Sequence, residues 1–345
     1  MRRTWLLIVT LWLCVLPAQA ADQYVLKFAT LVPVGTTWMN ILDEWAKQVA
    51  HDSGGRLTFK IYPGGVAGDE PDVLRKIRFG QLQGGAFTGH GIGLIYPAAR
   101  ILEMPFVFRD VQEIDYVRQQ FNEEIAAGFR SHNFEQVGWL EFGFLRFFSR
   151  EPLHSIDDLK TRRVWMWQGD AMAQAFFDAA KIEPVPLSIA DVYTSLSTGL
   201  IDTVPAPPLA AIAMQWFTKT RYVTNIPIMD AMGALLIDAD FYKKLPPDLQ
   251  KLLKTTGTAV GERLITATRN DNDKSIEVLK KNGMKFTLNP GDIKESELFD
   301  MRDRAAATLA KNGYIPQDVF DRTRKLLEEY RTRTPKPQPS QAQPN

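Results

Sequence analysis

The sequence predicts an α/β protein of two lobes with a cleft between them and a long bracing helix. Three observations carry this. Residues 25–88 alternate short strand, helix, strand, helix, strand, which is the cadence of a parallel sheet with crossover helices. The apolar run Val137 to Phe148 is too long for one ordinary strand in a small sheet, so it leaves one folded unit and enters another. From Pro247 to Lys281 the chain reads as mostly helical, with Leu249, Leu252, Leu253, Val260 and Leu264 as the apolar stripe of a brace.

In order, Val25 to Ala29 is a strand, and Thr36 or Thr37 caps a helix whose Trp38, Ile41, Leu42, Trp45, Ala46 and Val49 recur at three and four. Gly54-Gly55 ends it. Leu57 to Tyr62 alternates as a second strand, Pro63-Gly64-Gly65 turns into a helix that Gly80 terminates, and Gly84 to Thr88 is the third strand. After the long apolar run, Val164 to Trp167 is a compact strand and Asp170 caps a helix over Ala171 to Ala180. Residues 191–200 are helical with Asp191 as cap, 201–204 strand-like, and Leu209 to Thr218 helical behind Pro207-Pro208. Met232 to Ile237 is a buried return strand, Lys285 to Leu288 another strand and Leu298 to Lys311 another helix. The expected partition is 21–144 with 230–270 for the first lobe, 145–229 with 271–330 for the second and its braces, and a disordered proline- and glutamine-rich tail over 331–345.

Composition narrows the function. The 345 residues carry 41 Lys plus Arg against 40 Asp plus Glu, a formal charge of +1, which is no footprint for nucleic acid. Arg2 and Arg3, the apolar Trp5 to Leu16 and Ala18-Gln19-Ala20 form a secretory signal over residues 1–20. The only cysteine, Cys14, leaves with it, so the expected mature chain has no disulfide or thiol nucleophile, and a bacterial periplasm is the expected compartment.

Catalytic signatures are lacking. The four histidines, His51, His90, His132 and His154, have no metal-ligand spacing, no G-x-S-x-G elbow occurs, and the glycine-rich 64–68 and 89–93 stretches lack a phosphate-loop lysine or the dinucleotide pattern. No enzyme activity, cofactor or metal is expected. Two sheets crossed several times instead place a small-molecule site in the interlobe cleft, with His90 in its glycine-rich loop as a candidate.

Particular runs sharpen this reading: Phe28 to Pro33, Gly54 to Leu57, Met104 to Phe108, and above all residues 191–202, which match D-V-Y-x-x-L-x-x-G-x-x-D. In these, residues 24–330 resemble the DctP-like extracytoplasmic substrate-binding receptors of TRAP transporters. The resemblance implies two α/β lobes that close over a ligand and deliver it to inner-membrane permease subunits, without catalysis; it leaves a homodimer open.

Family members typically clamp an organic acid through an arginine in a segment like D-L-K-G-L-K-I-R-V, helped by an asparagine in D-G-Q-E-N-P. Here Asp158 to Met166 puts Trp165 at the arginine position and Asp202 to Pro207 puts Ala206 at the asparagine position. Leu145 occupies a further arginine position, with Arg146 adjacent. The expected site is therefore Trp165, Trp167, Gln168, Ile189, Tyr193, Ala206, Pro207, Leu145 and Arg146 from the second lobe, with Trp38, Phe87 and His90 from the first. Such a pocket favours a small, mainly apolar or aromatic ligand. The alternatives are an organic-acid or dicarboxylate receptor whose clamp is displaced to Arg146, Arg162 or Arg163, and a periplasmic sensor or ligand chaperone.

Overall fold

The computed structural model describes residues 22–334; the expected signal segment and residues 335–345 lie outside the described residues. The first lobe opens with β1 (Tyr24–Thr30), α1 (Thr37–Asp52), β2 (Leu57–Tyr62), α2 (Glu70–Arg78), β3 (Gly84–Thr88) and α3 (Gly89–Ile95). A 3-10 segment Pro97–Glu103, the helix α4 (Val111–Ser131) and β4 (Phe134–Phe144) follow. Thr36 caps α1 by accepting from the Met39 amide, as its sequence position predicts. The second lobe holds β5 (Arg146–Ser149), β6 (Trp165–Trp167), α5 (Ala171–Ala180), β7 (Val185–Leu187), α6 (Val192–Thr198), β8 (Thr203–Ala206), α7 (Pro208–Ala213) and β9 (Tyr222–Thr224). The chain then returns through β10 (Asp230–Asp238), α8 (Ala239–Lys244) and α9 (Pro247–Lys281), and ends with β11 (Lys285–Thr287), α10 (Glu295–Lys311) and α11 (Gln317–Arg333).

The first-lobe sheet has the order β2-β1-β3-β10-β4. Its first three strands are parallel, as the β-α-β cadence requires, while β10 enters antiparallel to both β3 and β4. The second lobe has a sheet ordered β11-β9-β5-β8 and a two-stranded parallel pair of β6 with β7. The long apolar run divides at Leu145, whose amide and carbonyl bond Met229 and Ile228 on the returning chain, so the two crossovers run side by side.

The helix α9 lies across both lobes. Leu249, Leu253, Val260 and Leu264 pack with Trp45 and Val137 of the first lobe, while Leu279 packs with Phe148 and Val204 of the second. Between them Asn272 donates to the Phe142 carbonyl at 2.8 Å and accepts from the Leu209 amide at 3.0 Å, tying β4 to α7. Close approach is possible because Gly257 and Gly261 face β4: a Cβ on Gly261 would sit 2.7 Å from the Trp139 carbonyl oxygen. The helix thereby covers the β4 edge, and Lys254 and Thr258 donate to its Gln136 and Val137 carbonyls.

Several expectations shift. The strand expected at 201–204 runs over 203–206, and the helix expected at 209–218 breaks after Ala213, with Gln215 in the left-handed region at φ 57°. Asp191 makes no side-chain cap bond to α6; Ser188 instead accepts from Ala190 in the preceding 3-10 turn. The segment grouped with the second lobe divides. Met301 of α10 packs with Phe147 and Phe177, but α11 seats Phe320 and Leu327 in the cluster that holds Phe121 and Phe129 of α4. Arg322 pairs with Glu124 and Arg331 with Glu113, and α11 continues through Arg333, two residues past the start expected for the disordered tail.

Candidate interlobe binding site

A cavity of about 170 Å³ lies between the lobes. On the second-lobe side, β6 alternates so that Trp165 and Trp167 share a face while Met166 packs behind with Phe176 and Phe177. Trp165 is 5% exposed, donates from Nε1 to the Leu187 carbonyl at 3.1 Å, and meets Trp216 edge-on at 5.3 Å. Ile189, Leu145, Ala206 and Pro207 complete that wall. From the first lobe, Trp38 lines the cavity with its Nε1 fixed by Thr268 Oγ1 at 2.6 Å.

Four expected residues lie elsewhere. Phe87 is core, packed among the buried apolar residues of the first lobe. Gln168 faces solvent and engages the site only through its backbone amide on Leu187. Tyr193 is exposed beneath the Lys219 ammonium, 5.0 Å from its ring, because α6 turns its other face, Val192 and Leu196, into the core. Arg146 follows Leu145 in an extended strand, so it points the opposite way; its Nη1 donates to the Thr224 carbonyl and Asn225 Oδ1, and burial pushes its pKa down. Arg162 is held by the Pro152 carbonyl and Arg163 by Asp202, so neither lines the cavity. The motif ending in Asp202 is structural, since that carboxylate accepts from the Arg163 amide and Thr203 hydroxyl.

Charge enters instead from the first lobe. Arg100, in the 3-10 segment, is the only arginine lining the cavity among the described residues. It is 2% exposed; its Nε donates to Glu103 Oε2 at 2.5 Å and its Nη1 to Asp170, which also caps α5 through the Met172 and Ala173 amides. Burial pushes Glu103 up despite Arg100, whereas for Asp170 the same burial is outweighed by Arg100 and His90 and its pKa falls. His90 stacks on Trp167 at 5.1 Å with its rings 25° apart. Burial drives its pKa down, and Nε2 has no hydrogen-bond partner among the described residues. The signal for this cluster was Ala98-Ala99-Arg100-Ile101-Leu102-Glu103, two opposite charges three apart inside an apolar run, which must be buried together.

With this geometry in view, residues 28–303 match the DctP description, bacterial extracellular solute-binding protein, family 7. The chain belongs to this family. As a DctP-like receptor of the TRAP type, it is a periplasmic solute-binding protein and not an enzyme. A solute-binding protein of Chromohalobacter salexigens is 29% identical over 163 residues, 47% of this chain and 48% of that protein, so this alignment spans about half of the relative's length. A TRAP periplasmic solute-binding protein of Roseobacter denitrificans with bound β-D-glucuronate superposes with a TM-score of 0.80 at 18% identity, covering 87% of this chain and 99% of that one. One from Desulfovibrio salexigens with bound orotic acid gives 0.81 at 21%, covering 89% and 99%. The homodimer finds no support in these comparisons.

These TRAP solute-binding structures correct the expectation of a mainly apolar or aromatic ligand, because the ligands they hold are acids. The error has a local cause. The second lobe lacks arginines at positions 145 and 165 and turns Arg146 away, whereas Arg100 brings a guanidinium into the wall from the opposite lobe.

Proposed function

We propose that the cleft binds a small organic acid and delivers it to the membrane subunits of a TRAP transporter, with the carboxyl group at the end bounded by Thr88, His90 and Arg100. The carrying observation is that Arg100 lines the cavity beside a buried His90 Nε2 that has no partner among the described residues. Trp165 and Trp38 hold the carbon skeleton from opposite sides. Arg100 already meets two carboxylates, so an entering anion is accommodated as Glu103 takes up a proton, the change toward which burial already biases it.

The test is to strip carried-over compound by unfolding and refolding, then to titrate calorimetrically with D-glucuronate, orotate and C4-dicarboxylates beside their neutral amide analogues. Saturable binding confined to the acids supports the reading. Equal or tighter binding of the amides overturns it.

A further inference from the structure

We propose that Asp69 is a latch that holds the two lobes closed, acting from outside the cavity wall and independently of which ligand is enclosed. Asp69 stands at the N-terminus of α2 in the first lobe, and its two oxygens divide the work. Oδ1 accepts from the Glu70 amide at 2.7 Å, capping α2. Oδ2 accepts from three donors of the second lobe: Trp167 Nε1 at 3.0 Å, Ser188 Oγ at 2.8 Å and the Ile189 amide at 3.3 Å. Trp167 Nε1 also reaches Oδ1 at 3.2 Å. Hydrogen bonds to a carboxylate are about twice as strong as neutral ones, and three converging from one lobe on one oxygen of the other can form only in the closed arrangement.

The donors are also placed to report closure. Trp167 is the residue whose ring lies over His90, and Ser188-Ile189 is the turn that follows β7, the partner of β6. One carboxylate thus fixes both β6 and the turn beside it, which keeps Trp167 and Ile189 in the cavity wall. When the lobes part, all three donors and the carboxylate pass to water together, so the latch releases as a unit. The closed state is thereby populated before any ligand makes its own contacts.

Asp69→Asn separates latch from cap, because the amide oxygen can still cap α2 while a donating NH₂ replaces Oδ2. Ser188→Ala removes one donor, and with it the Ser188 cap on the Ala190 amide, at a residue that does not line the cavity. In the chain from Ala21 onward, spin labels at Gln48→Cys on α1 and Thr194→Cys on α6 report the interlobe distance in ligand-free protein. The expected result is a closed population at the spacing of this structure that falls roughly tenfold in Asp69→Asn and less in Ser188→Ala, with an unchanged melting temperature. A closed population equal to wild type in both variants, or none in the wild type, overturns the latch. No ligand is present in this experiment, so its failure is distinguishable from failure of the organic-acid reading.

Discussion

The two walls of the cleft differ in what they bring to a ligand. The second lobe offers Trp165, Trp216, Ala206 and Pro207, large rings beside small residues, held by sheet register and by one indole hydrogen bond. The first lobe offers Thr88, His90, Arg100 and Glu103, drawn from the β3–α3 junction and a 3-10 segment and held by ion pairs. The comparison teaches that the cation and most of the apolar surface can come from opposite lobes of a closing cleft, with Trp38 and Asp170 crossing that division. A motif on one lobe then describes only half of the specificity.

The sharpest way to break this contrast is Arg100→Leu. It leaves Glu103 and Asp170 buried without their cation, so the expected loss is about 3–5 kcal/mol of stability in a denaturant titration, together with loss of acid binding. Full stability with intact acid binding would dissolve the charged wall. On the other side, Trp165→Ala removes a ring packed against Trp167 and Trp216. Its expected cost is about 3 kcal/mol, with binding weakened for acids and their amides alike, since it removes area rather than charge.

The pH dependence sharpens the polar wall further. Burial has raised the Glu103 carboxyl, and a ligand anion raises it again, so the complex binds more protons than the free protein. Affinity for a carboxylate is therefore expected to rise as pH falls, with net proton uptake on binding in calorimetry. Glu103→Gln should flatten that slope. The smallest effect is expected from Trp38→Phe, which keeps a ring in the wall but drops the bond to Thr268, at about 1 kcal/mol in thermal unfolding.

Legibility followed the range of the interactions. Caps, turns and periodic stripes are local, which is why α1, β1 to β3 and the full length of α9 could be read from Thr36, Gly54-Gly55, Gly80 and the leucine spacing. The 21-residue α4 carried an equally plain stripe in Ile114, Val117, Phe121, Ile125 and Phe129, yet its place beneath α11 depends on partners about 200 residues away. Trp38 and Trp165 could be nominated for the cleft, but Phe87 and Tyr193 could not be excluded from it, because an aromatic side chain packs equally well in a core.

By itself the amino-acid order determined the alternation of strands and helices, the bracing helix and the family, all of which rest on patterns between near neighbours. Tertiary structure decided where charge resides. Arg100 and Asp170 stand 70 residues apart, Trp167 and Asp69 98 apart, and their meeting depends on how two lobes are set against each other. Electrostatic and hydrogen-bonding partners act over a few ångströms of space whatever their separation along the chain, so only the closed fold could bring an arginine to a wall where the sequence motif had none.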